Sequence, residues 1–364
     1  MRAGGQDIAV NYGLFSFDKP FFVLRFVFGL TDYEMGIEPF DLFCRIYQSY
    51  GSSVTQQTFN LTNKEKIAIL QALNENYLPE NRVYRYNYFY DNCTTRARDM
   101  VLKHLSGNLH VMDGASSPPK TLINQNPTRD TLLTYRQMVH FCCKNHPWVM
   151  YGNDMLLGVQ ADRLTTRRQQ QFLPQFLLMD LENTVRIFND GKQVALTQPP
   201  VTIVPVGTQV IEEDFPLRPR EVFLIFLVFT IFITIIEAYS RRRLWWYDAI
   251  LMIACGLAGI ILTAMIFSQH PTVRINLQLL LLNPLPLFFV WRMIKRTRHR
   301  QRDKQYAFWL LLICLFFIGG LWQQYAEGMY LVASSLLVRN VWCLLCQRKY
   351  SSRPLLSPTS FIKV

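Results

Sequence analysis

The residue with the clearest chemical potential is Cys93, which stands where a run of aromatic residues gives way to a polar helix start. The segment 84–99 reads YRYNYFYDNCTTRARD, and its four tyrosines alternate with Arg85, Asn87 and Phe89. This period of two predicts a strand or extended segment with one ring-lined face. A helix is predicted to follow at once, so the cysteine marks a change of backbone conformation.

The position predicted for Cys93 is the first turn of that helix. Asp91 and Asn92 are good N-cap residues, and 94–105 contains neither Gly nor Pro. Unpaired backbone N–H groups and the positive end of the helix dipole favour a thiolate, which is the nucleophilic form of cysteine. The alternative is a small apolar Cys packed at a helix start.

A cysteine nucleophile needs a base, and the six histidines of the chain all follow Cys93. His104 lies eleven residues along the same predicted helix, about 16 Å away, which is too far for proton transfer. His110, His140 and His299 have no neighbours that single them out. Two histidines remain as substitute bases for Cys93: His146, in a turn before Trp148, and His270, in a loop predicted on the outer side of a membrane.

The eight cysteines do not indicate a disulfide framework in a chain of 364 residues. Cys343 and Cys346 form a CxxC, but it lies in an apolar run without a thioredoxin-like context. We predict no metal site and no cofactor.

Charge divides the chain into two parts. Residues 1–219 carry 21 Lys and Arg against 21 Asp and Glu, whereas residues 220–364 carry 17 against 5, so the net charge of +12 belongs to the second part. Its basic residues lie between long apolar runs, as in the cytoplasmic loops of a membrane protein. No zinc-finger, helix-turn-helix or RNA-recognition pattern is present, so we expect no nucleic-acid partner.

Five apolar runs predict an all-α membrane domain of about five helices, most of them near the ~20 residues that span a bilayer. The fourth is short and the fifth contains Arg339. The runs cover 222–238, 245–267, 277–293, 307–321 and 330–345. Basic clusters after the first, third and fifth runs belong in the cytoplasm, so the N-terminal part is predicted to face outward.

The N-terminal part is predicted to be a mixed α and β domain. Strands are expected at 8–17 and 54–61, a capping box of Thr62 and Glu65 opens a helix over 63–74, and helices are expected near 131–143 and 175–180. A hairpin is expected around the turn 189–191. The predicted organisation is an extracytoplasmic domain at 1–198, a Pro-rich linker at 199–219, a membrane domain at 220–346 and a cytoplasmic tail at 347–364.

No signal peptide is visible at the start of the chain, although the loop charges place the N-terminal domain outside. We therefore expect that a signal peptide and at least one further strand precede residue 1.

Several segments resemble the Lnb-type lipoprotein N-acyltransferases of Bacteroidota. They are VNYGLFSF, QQTFNLTNKEK, PENRVYRYNYFYDNCTTRARD, NHPWVMYGNDMLLG with FLPQFL, and SQHPTVRINLQLLLLNPL. The cysteine block also resembles that of the permuted papain-like enzymes that include lecithin:retinol acyltransferase. The resemblance implies an α+β papain-like domain on a multi-pass anchor in the bacterial inner membrane, with the domain in the periplasm.

The resemblance also implies a mechanism. Cys93 takes an acyl chain from a phospholipid as a thioester and passes it to the N-terminal amine of a lipoprotein. In the Lnb-type pattern the base histidine lies in a strand just upstream of NYGLF, where this chain begins, so the chain as given is expected to be poorly active or inactive.

Residues beside Cys93 receive supporting roles in this mechanism. The backbone N–H groups of Cys93 and Thr94 are candidate oxyanion donors, with Asn92 and Asp91 as supporting residues. Arg96 and Arg98 are candidate ligands for a lipid phosphate. Alternatively, they belong to a solvated helix face or form ion pairs with Asp91 or Asp99.

Two other classes of function remain. A membrane-anchored cysteine peptidase or amidase would use the same nucleophile, and a peptidyl rather than a lipid thioester on Cys93 would identify it. A non-catalytic membrane protein with a partner-binding outer domain would tolerate Cys93→Ser.

Overall fold

The computed structural model describes residues 2–3, 5–15, 20–112, 132–208 and 215–351. The end of the strand predicted at 8–17, residues 113–131 with the first residue of the helix predicted from 131, residues 209–214 of the predicted linker, and 352–364 of the tail lie outside these residues. The chain forms two compact units. The first contains Met1–Phe141 and Arg163–Glu213, and the second contains Cys142–Asp162 and Asp214–Val364.

The described strands all belong to the first unit and pair antiparallel. They are β1 (Arg2–Ala3), β2 (Gln6–Leu14), β3 (Asp32–Pro39), β4 (Val54–Gln56), β5 (Val83–Arg85), β6 (Asn108–Val111), β7 (Thr184–Ile187), β8 (Gln193–Ala195) and β9 (Val201–Val204). They form sheets of order β1-β2-β3-β5, β4-β9 and β6-β7-β8.

The helices occur in both units. They are α1 (Phe22–Val27), α2 (Phe40–Ser49), α3 (Asn63–Tyr77), α4 (Cys93–Leu102), α5 (Tyr135–Cys143), α6 (Pro147–Leu156), α7 (Arg167–Gln170), α8 (Pro174–Glu182), α9 (Pro219–Ser240), α10 (Trp245–Ala264), α11 (Pro271–Arg274), α12 (Leu285–Arg298), α13 (Gln305–Gly319) and α14 (Met329–Ser351). The N-terminal region is therefore mixed α and β, as predicted.

Local signals in the first unit gave the right elements. Thr62 and Glu65 form the predicted capping box at the start of α3, and the predicted hairpin is formed by β7 and β8. The strand predicted through Tyr90 ends at Arg85 instead. Asn87 explains the difference, because its Oδ1 accepts hydrogen bonds from the N–H groups of Phe89 and Tyr90 and closes a turn.

Two segments lie differently from the organisation predicted for the chain. Residues 142–162, predicted inside the outer domain, pack within the second unit. Strand β9 lies inside the stretch predicted as a linker, and its Val204 pairs with Val54 of β4. Both arrangements depend on contacts between residues far apart in the sequence.

The core of the first unit lies between the β2–β3–β5 sheet and helices α3 and α4. Its buried residues are mostly aromatic or long aliphatic, and Cys93 and Met100 of α4 pack against them: Tyr12, Tyr33, Met35, Ile69, Leu73, Tyr84 and Tyr86. This packing fixes the start of α4 against the sheet.

Among its described residues, the second unit contains four helical segments long and apolar enough to cross a membrane: Pro219–Ser240, Trp245–Phe267, Pro271–Arg298 and Met329–Gln347. The fourth predicted run forms the shorter apolar helix α13. The helix count is roughly that predicted. Each of the five predicted runs overlaps one of the four segments or α13.

A charged network joins three of these helices. Arg339 of α14 is 2% exposed, and its Nη2 lies 2.8 Å from Asp248 of α10 and 3.1 Å from Glu237 of α9. Arg243 lies 3.0 Å from Asp248. The charge that made the fifth run unusual is thus neutralised inside the bundle, as buried charges require.

Candidate functional site around Cys93

Cys93 is the first residue of α4, and Asn92 is its N-cap, as the sequence predicts. Asn92 Oδ1 accepts a hydrogen bond from the Thr95 N–H at 2.9 Å, and the Asn92 N–H donates to Thr95 Oγ1 at 2.9 Å. This reciprocal capping box satisfies two backbone donors at the helix start. The cap therefore sets the direction in which α4 leaves the Cys93 position.

The amide of Asn92 also holds the helix start to its surroundings. Its Nδ2 donates to the Tyr88 carbonyl at 3.1 Å and to the Phe172 carbonyl at 2.9 Å. Asn92 is 5% exposed, so these bonds are shielded from water. The sequence identified the cap but not Phe172, which lies 80 residues away.

Backbone N–H groups at Cys93 and Thr94 form the polar part of the site. Within the described residues they have no hydrogen-bond partner, whereas the Thr95 N–H is used by the cap. The first N–H groups of a helix have no partner inside the helix and carry its partial positive charge. This arrangement can stabilise a thiolate or an oxyanion at Cys93.

Strand β2 passes directly beside the thiol. A Cβ built on Gly13 would lie 3.8 Å from the Cys93 Cβ and 3.1 Å from Asn11 Oδ1. The register of β2 against β3 shifts between Asn11 and Leu14, so Gly13 lies at an irregularity in the strand. Because Gly13 has no side chain, the space beside the strand is open for Cys93.

An aromatic layer forms the apolar part of the site. The rings of Tyr33 and Tyr86 stack at 4.1 Å, and Phe15 and Phe26 extend the stack on either side at 4.8 and 5.9 Å. Phe15 is 37% exposed, so the layer reaches the surface. The run of tyrosines indicated this layer, although its rings come from β3, from α1 and from the residues that directly follow β2 and β5.

Several tyrosine hydroxyls near Cys93 stay protonated at neutral pH. Burial raises the pKa values of Tyr33, Tyr47 and Tyr86, and an electrostatic interaction with Cys93 raises them further. Their hydroxyls are therefore hydrogen-bond donors rather than bases. A general base has to come from another group.

Arg96 is engaged by Asp91, which is one of the alternatives that the sequence left open. Its Nε and Nη2 donate to the two carboxylate oxygens of Asp91 at 2.8 and 2.7 Å. The guanidinium carbon also lies 4.0 Å from the centre of the Tyr84 ring. This ion pair holds the Arg96 side chain, about one turn after Cys93, against Asp91, two residues before Cys93.

Arg98 points into the first unit. Its side chain is 6% exposed and donates to the Asp99 carboxylate at 2.7 and 3.0 Å and to the Arg168 carbonyl at 3.0 Å. The guanidinium groups of Arg96 and Arg98 thus already have hydrogen-bond partners. A role for them in binding a lipid phosphate stays a prediction.

Both substitute histidines belong to the second unit, whereas Cys93 belongs to the first. His146 precedes α6 and His270 precedes α11, and both helices belong to the second unit. His270 is 7% exposed, and its backbone N–H donates to Ser268 Oγ at 3.2 Å. Their role as a base stays a prediction.

An open groove of about 560 Å³ lies along α4 beyond Cys93. Its walls are α3 and α4, with Tyr12 between them, and its polar lining residues are Glu75, Asn76, Asn81, Asp91, Arg96, Asp99, Lys103 and His104. This groove was not predicted from the sequence. The spacing of 96, 99, 100 and 103 on one helical face was the available signal.

Metal-ligating side chains do not cluster in the part of the chain that the structure describes, where no group of three or more His, Cys, Asp or Glu residues is placed to hold an ion.

Two family comparisons match the chain. Residues 2–135 match the Lnb N-terminal periplasmic domain, and residues 210–351 match the Lnb transmembrane domain. Comparisons with curated proteins and with solved structures gave no match.

The fold and these matches define a bacterial membrane protein with a periplasmic N-terminal domain and a helical membrane domain. The chain belongs to the Lnb-type family, whose two domains it carries in the order predicted from the sequence. Membership of this family is consistent with lipoprotein processing.

Proposed function

We propose that this protein is a cysteine-dependent acyltransferase of the bacterial inner membrane, moving an acyl chain from a phospholipid to the N-terminal amine of a lipoprotein. The observation that carries the proposal is the position of Cys93 as the first residue of α4, beside two unpaired backbone N–H groups. Family membership supports the substrate class.

The first step forms a thioester. The Cys93 thiolate attacks the ester carbonyl of the phospholipid, and the carbonyl oxygen of the tetrahedral intermediate carries the negative charge. The carbon–oxygen ester bond then breaks, and the departing alkoxide takes a proton to leave a lysophospholipid. The N–H groups of Cys93 and Thr94 are the proposed oxyanion donors.

The second step transfers the acyl chain to nitrogen. The free α-amine of a diacylglyceryl-cysteine attacks the thioester, the carbon–sulfur bond breaks, and Cys93 leaves as a thiolate. The nitrogen loses a proton to a base and an amide remains. Dividing the transfer into two steps is the function of a covalent intermediate.

The membrane domain suits this chemistry, because both substrates are lipids. Helices that cross the bilayer keep the catalyst where donor and acceptor reside. The exposed end of the aromatic layer, which includes Phe15, provides an apolar surface for an acyl chain.

The proton acceptor for Cys93 is proposed to be a histidine. His270→Gln and His146→Gln test the two substitutes, because loss of a base lowers the rate of thioester formation most at a pH where the base is unprotonated and the thiol still holds its proton. A rate unchanged by both substitutions would exclude these residues.

Incubation of the full chain with phospholipid, followed by peptide mass spectrometry, tests the proposal. We expect a fatty acyl adduct to accumulate slowly on the Cys93 peptide, since the resemblance places the base histidine upstream of NYGLF. Hydroxylamine should remove this adduct, and Cys93→Ser should lack it. Cys142→Ser is the matched control, since Cys142 is exposed and lies elsewhere. A peptidyl adduct would identify a peptidase or amidase. The absence of any adduct after prolonged incubation at alkaline pH, where a cysteine ionises without a base, would overturn both enzyme functions.

A further inference from the structure

The groove along α4 differs in chemistry from the aromatic layer beside Cys93. Charges of both signs line it, and most already have partners. Asp91 pairs with Arg96, and Asp99 lies 2.8 Å from Arg168 and 2.7 Å from Arg98. In the described part of the chain, the Glu75 carboxylate on α3 and the Lys103 ammonium on α4 have no ion-pair partner. The groove therefore offers one carboxylate and one ammonium on opposite walls.

The remaining polar groups are held in place. The Tyr12 hydroxyl donates to Asn76 Oδ1 at 2.7 Å, and Asn76 Nδ2 donates to the Asn81 carbonyl at 3.0 Å. His104 Nδ1 lies 2.8 Å from the Met100 carbonyl, which can only accept. Neutral His104 therefore has Nε2 as its acceptor nitrogen. Fixed donors and acceptors are typical of a recognition site.

The groove begins close to Cys93 in the sequence of α4, because Asp91 and Arg96, on either side of Cys93, both line it. Arg96 lies about 4.5 Å along the helix axis from Cys93, and Met100, which also lines the groove, lies about two turns after Cys93 on the same face of α4. From Arg96 to His104 the groove extends for about 12 Å. An extended peptide rises about 3.3 Å per residue, so this length suits about four residues.

We infer that this groove binds the peptide that follows the lipidated cysteine of the acceptor. The inference rests on the proposed function and names a subsite for its second substrate. The α-amine of the acceptor cysteine has to reach the thioester on Cys93. The acceptor peptide continues from that acceptor cysteine, so the peptide enters the groove, which begins about one helical turn from Cys93. A peptide backbone supplies N–H groups for Glu75 and His104 and carbonyls for Lys103 and Asn81.

A phospholipid head group fits the groove less well. Phosphoethanolamine also carries both charges, but only two carbon atoms separate its phosphate from its amine, so it occupies a small part of the groove. Arg96, the guanidinium closest to Cys93, is already held in a bidentate pair by Asp91.

Binding to the full chain with Cys93→Ala tests the inference without turnover. The probes are a fluorescent diacylglyceryl-cysteine amide and the same lipid amino acid extended by five polar residues of both charges. We expect the extended probe to bind about tenfold more tightly, equivalent to about 1.4 kcal/mol. Glu75→Lys and Lys103→Glu should each weaken the extended probe about three- to fivefold and leave the short probe unchanged.

Lys66→Glu is the matched control, because Lys66 is exposed on α3 and does not line the groove. Equal affinity for both probes, or equal effects of the variants on both, would overturn the inference. Competition by soluble glycerophosphoethanolamine, but not by the soluble peptide, would assign the groove to a head group instead. Absence of a thioester on Cys93 in the unsubstituted chain is a separate result that would overturn the proposed function.

Discussion

Gly13 of β2 lies so close to Cys93 of α4 that a Cβ at position 13 would be 3.8 Å from the Cys93 Cβ. The same Cβ would lie 3.1 Å from Asn11 Oδ1, which accepts a hydrogen bond from the Gly13 N–H at 2.7 Å. The reactive end of the helix thus has a close strand neighbour that carries no side chain.

Substitution of Gly13 should restrict access to the thiol. Gly13→Ala shifts the Asn11 amide by a few tenths of an ångström, whereas the γ-methyl groups of Gly13→Val reach the Cys93 side chain. We expect the alkylation rate of Cys93 to fall about twofold for Ala and at least tenfold for Val, an increase in barrier of about 1.4 kcal/mol. Quantitative mass spectrometry of the Cys93 peptide measures this rate.

Gly152→Val is the control for that experiment, because a Cβ at Gly152 meets no atom within 4 Å. Equal alkylation rates for Gly13→Val and the unsubstituted chain would show that Gly13 does not shape the site.

Loss of the Asn92 side chain should destabilise the start of α4. Asn92→Ala removes the cap on the Thr95 N–H and leaves the buried Phe172 carbonyl without its donor. We expect a destabilisation of about 2–3 kcal/mol, since a lost cap costs about 1 kcal/mol and an unsatisfied buried group adds to it. The midpoint of thermal unfolding, followed by circular dichroism, should fall.

Asn74→Ala provides the comparison, since Asn74 is exposed on α3. A similar fall in both variants would mean that the cap contributes little.

Acid should destabilise the first unit through Glu65. Burial alone raises the pKa of this carboxyl, but hydrogen bonds from Ser106, Thr62 and Arg186 outweigh burial and lower the pKa to about 2. The unfolded chain therefore binds a proton more readily than the folded one. The stabilisation is present above the unfolded pKa of 4.5 and is lost as the pH falls towards 2.

Glu65→Gln should remove this pH dependence and leave the buried Arg186 without its charged partner at 2.7 Å. A loss of about 3 kcal/mol at pH 7 is expected from breaking a buried pair. Denaturant unfolding at pH 7, 4 and 3 measures both effects. The exposed Glu80→Gln should retain the acid sensitivity, and if Glu65→Gln retains it too, another carboxyl is responsible.

Arg339 should be essential to the membrane domain. Arg339→Gln leaves Asp248 with Arg243 as its remaining cation and removes one cation from Glu237. The expected destabilisation is about 3–5 kcal/mol. Thermal unfolding in detergent should show it, while the exposed Arg302→Gln stays near the unsubstituted midpoint.

Restoration by Arg339→Lys would be partial, because an ammonium cannot reproduce the bonds of a guanidinium to Asp248 and Glu237 together. Full stability of Arg339→Gln would show that the network is not required for folding.

The sequence predicted features that nearby residues determine. The cap at Asn92 and the capping box at Thr62 were both predicted correctly, because a cap and its partner lie three residues apart. The membrane helices could be predicted because a bilayer demands long apolar segments.

Features that depend on distant partners could not be predicted. Strand β9 looked like a Pro-rich linker because its pairing partner β4 lies about 150 residues earlier in the chain. Arg339 appeared as a single charge in an apolar run, since nothing in the sequence indicated that Asp248 and Glu237 meet it. Gly13 was likewise one glycine among 17 until the path of β2 was known.

Because the chain passes between the two units more than once, a single proteolytic cleavage does not divide the protein into its two units. The chain passes from one unit to the other at 141/142, at 162/163 and again at 213/214. A protease that cleaves once near 213 would leave two polypeptides, and the first would still contribute 142–162 to the packed core of the second unit. We expect such fragments to purify together until this segment unfolds, so a soluble periplasmic fragment cannot be obtained by removing the membrane helices alone.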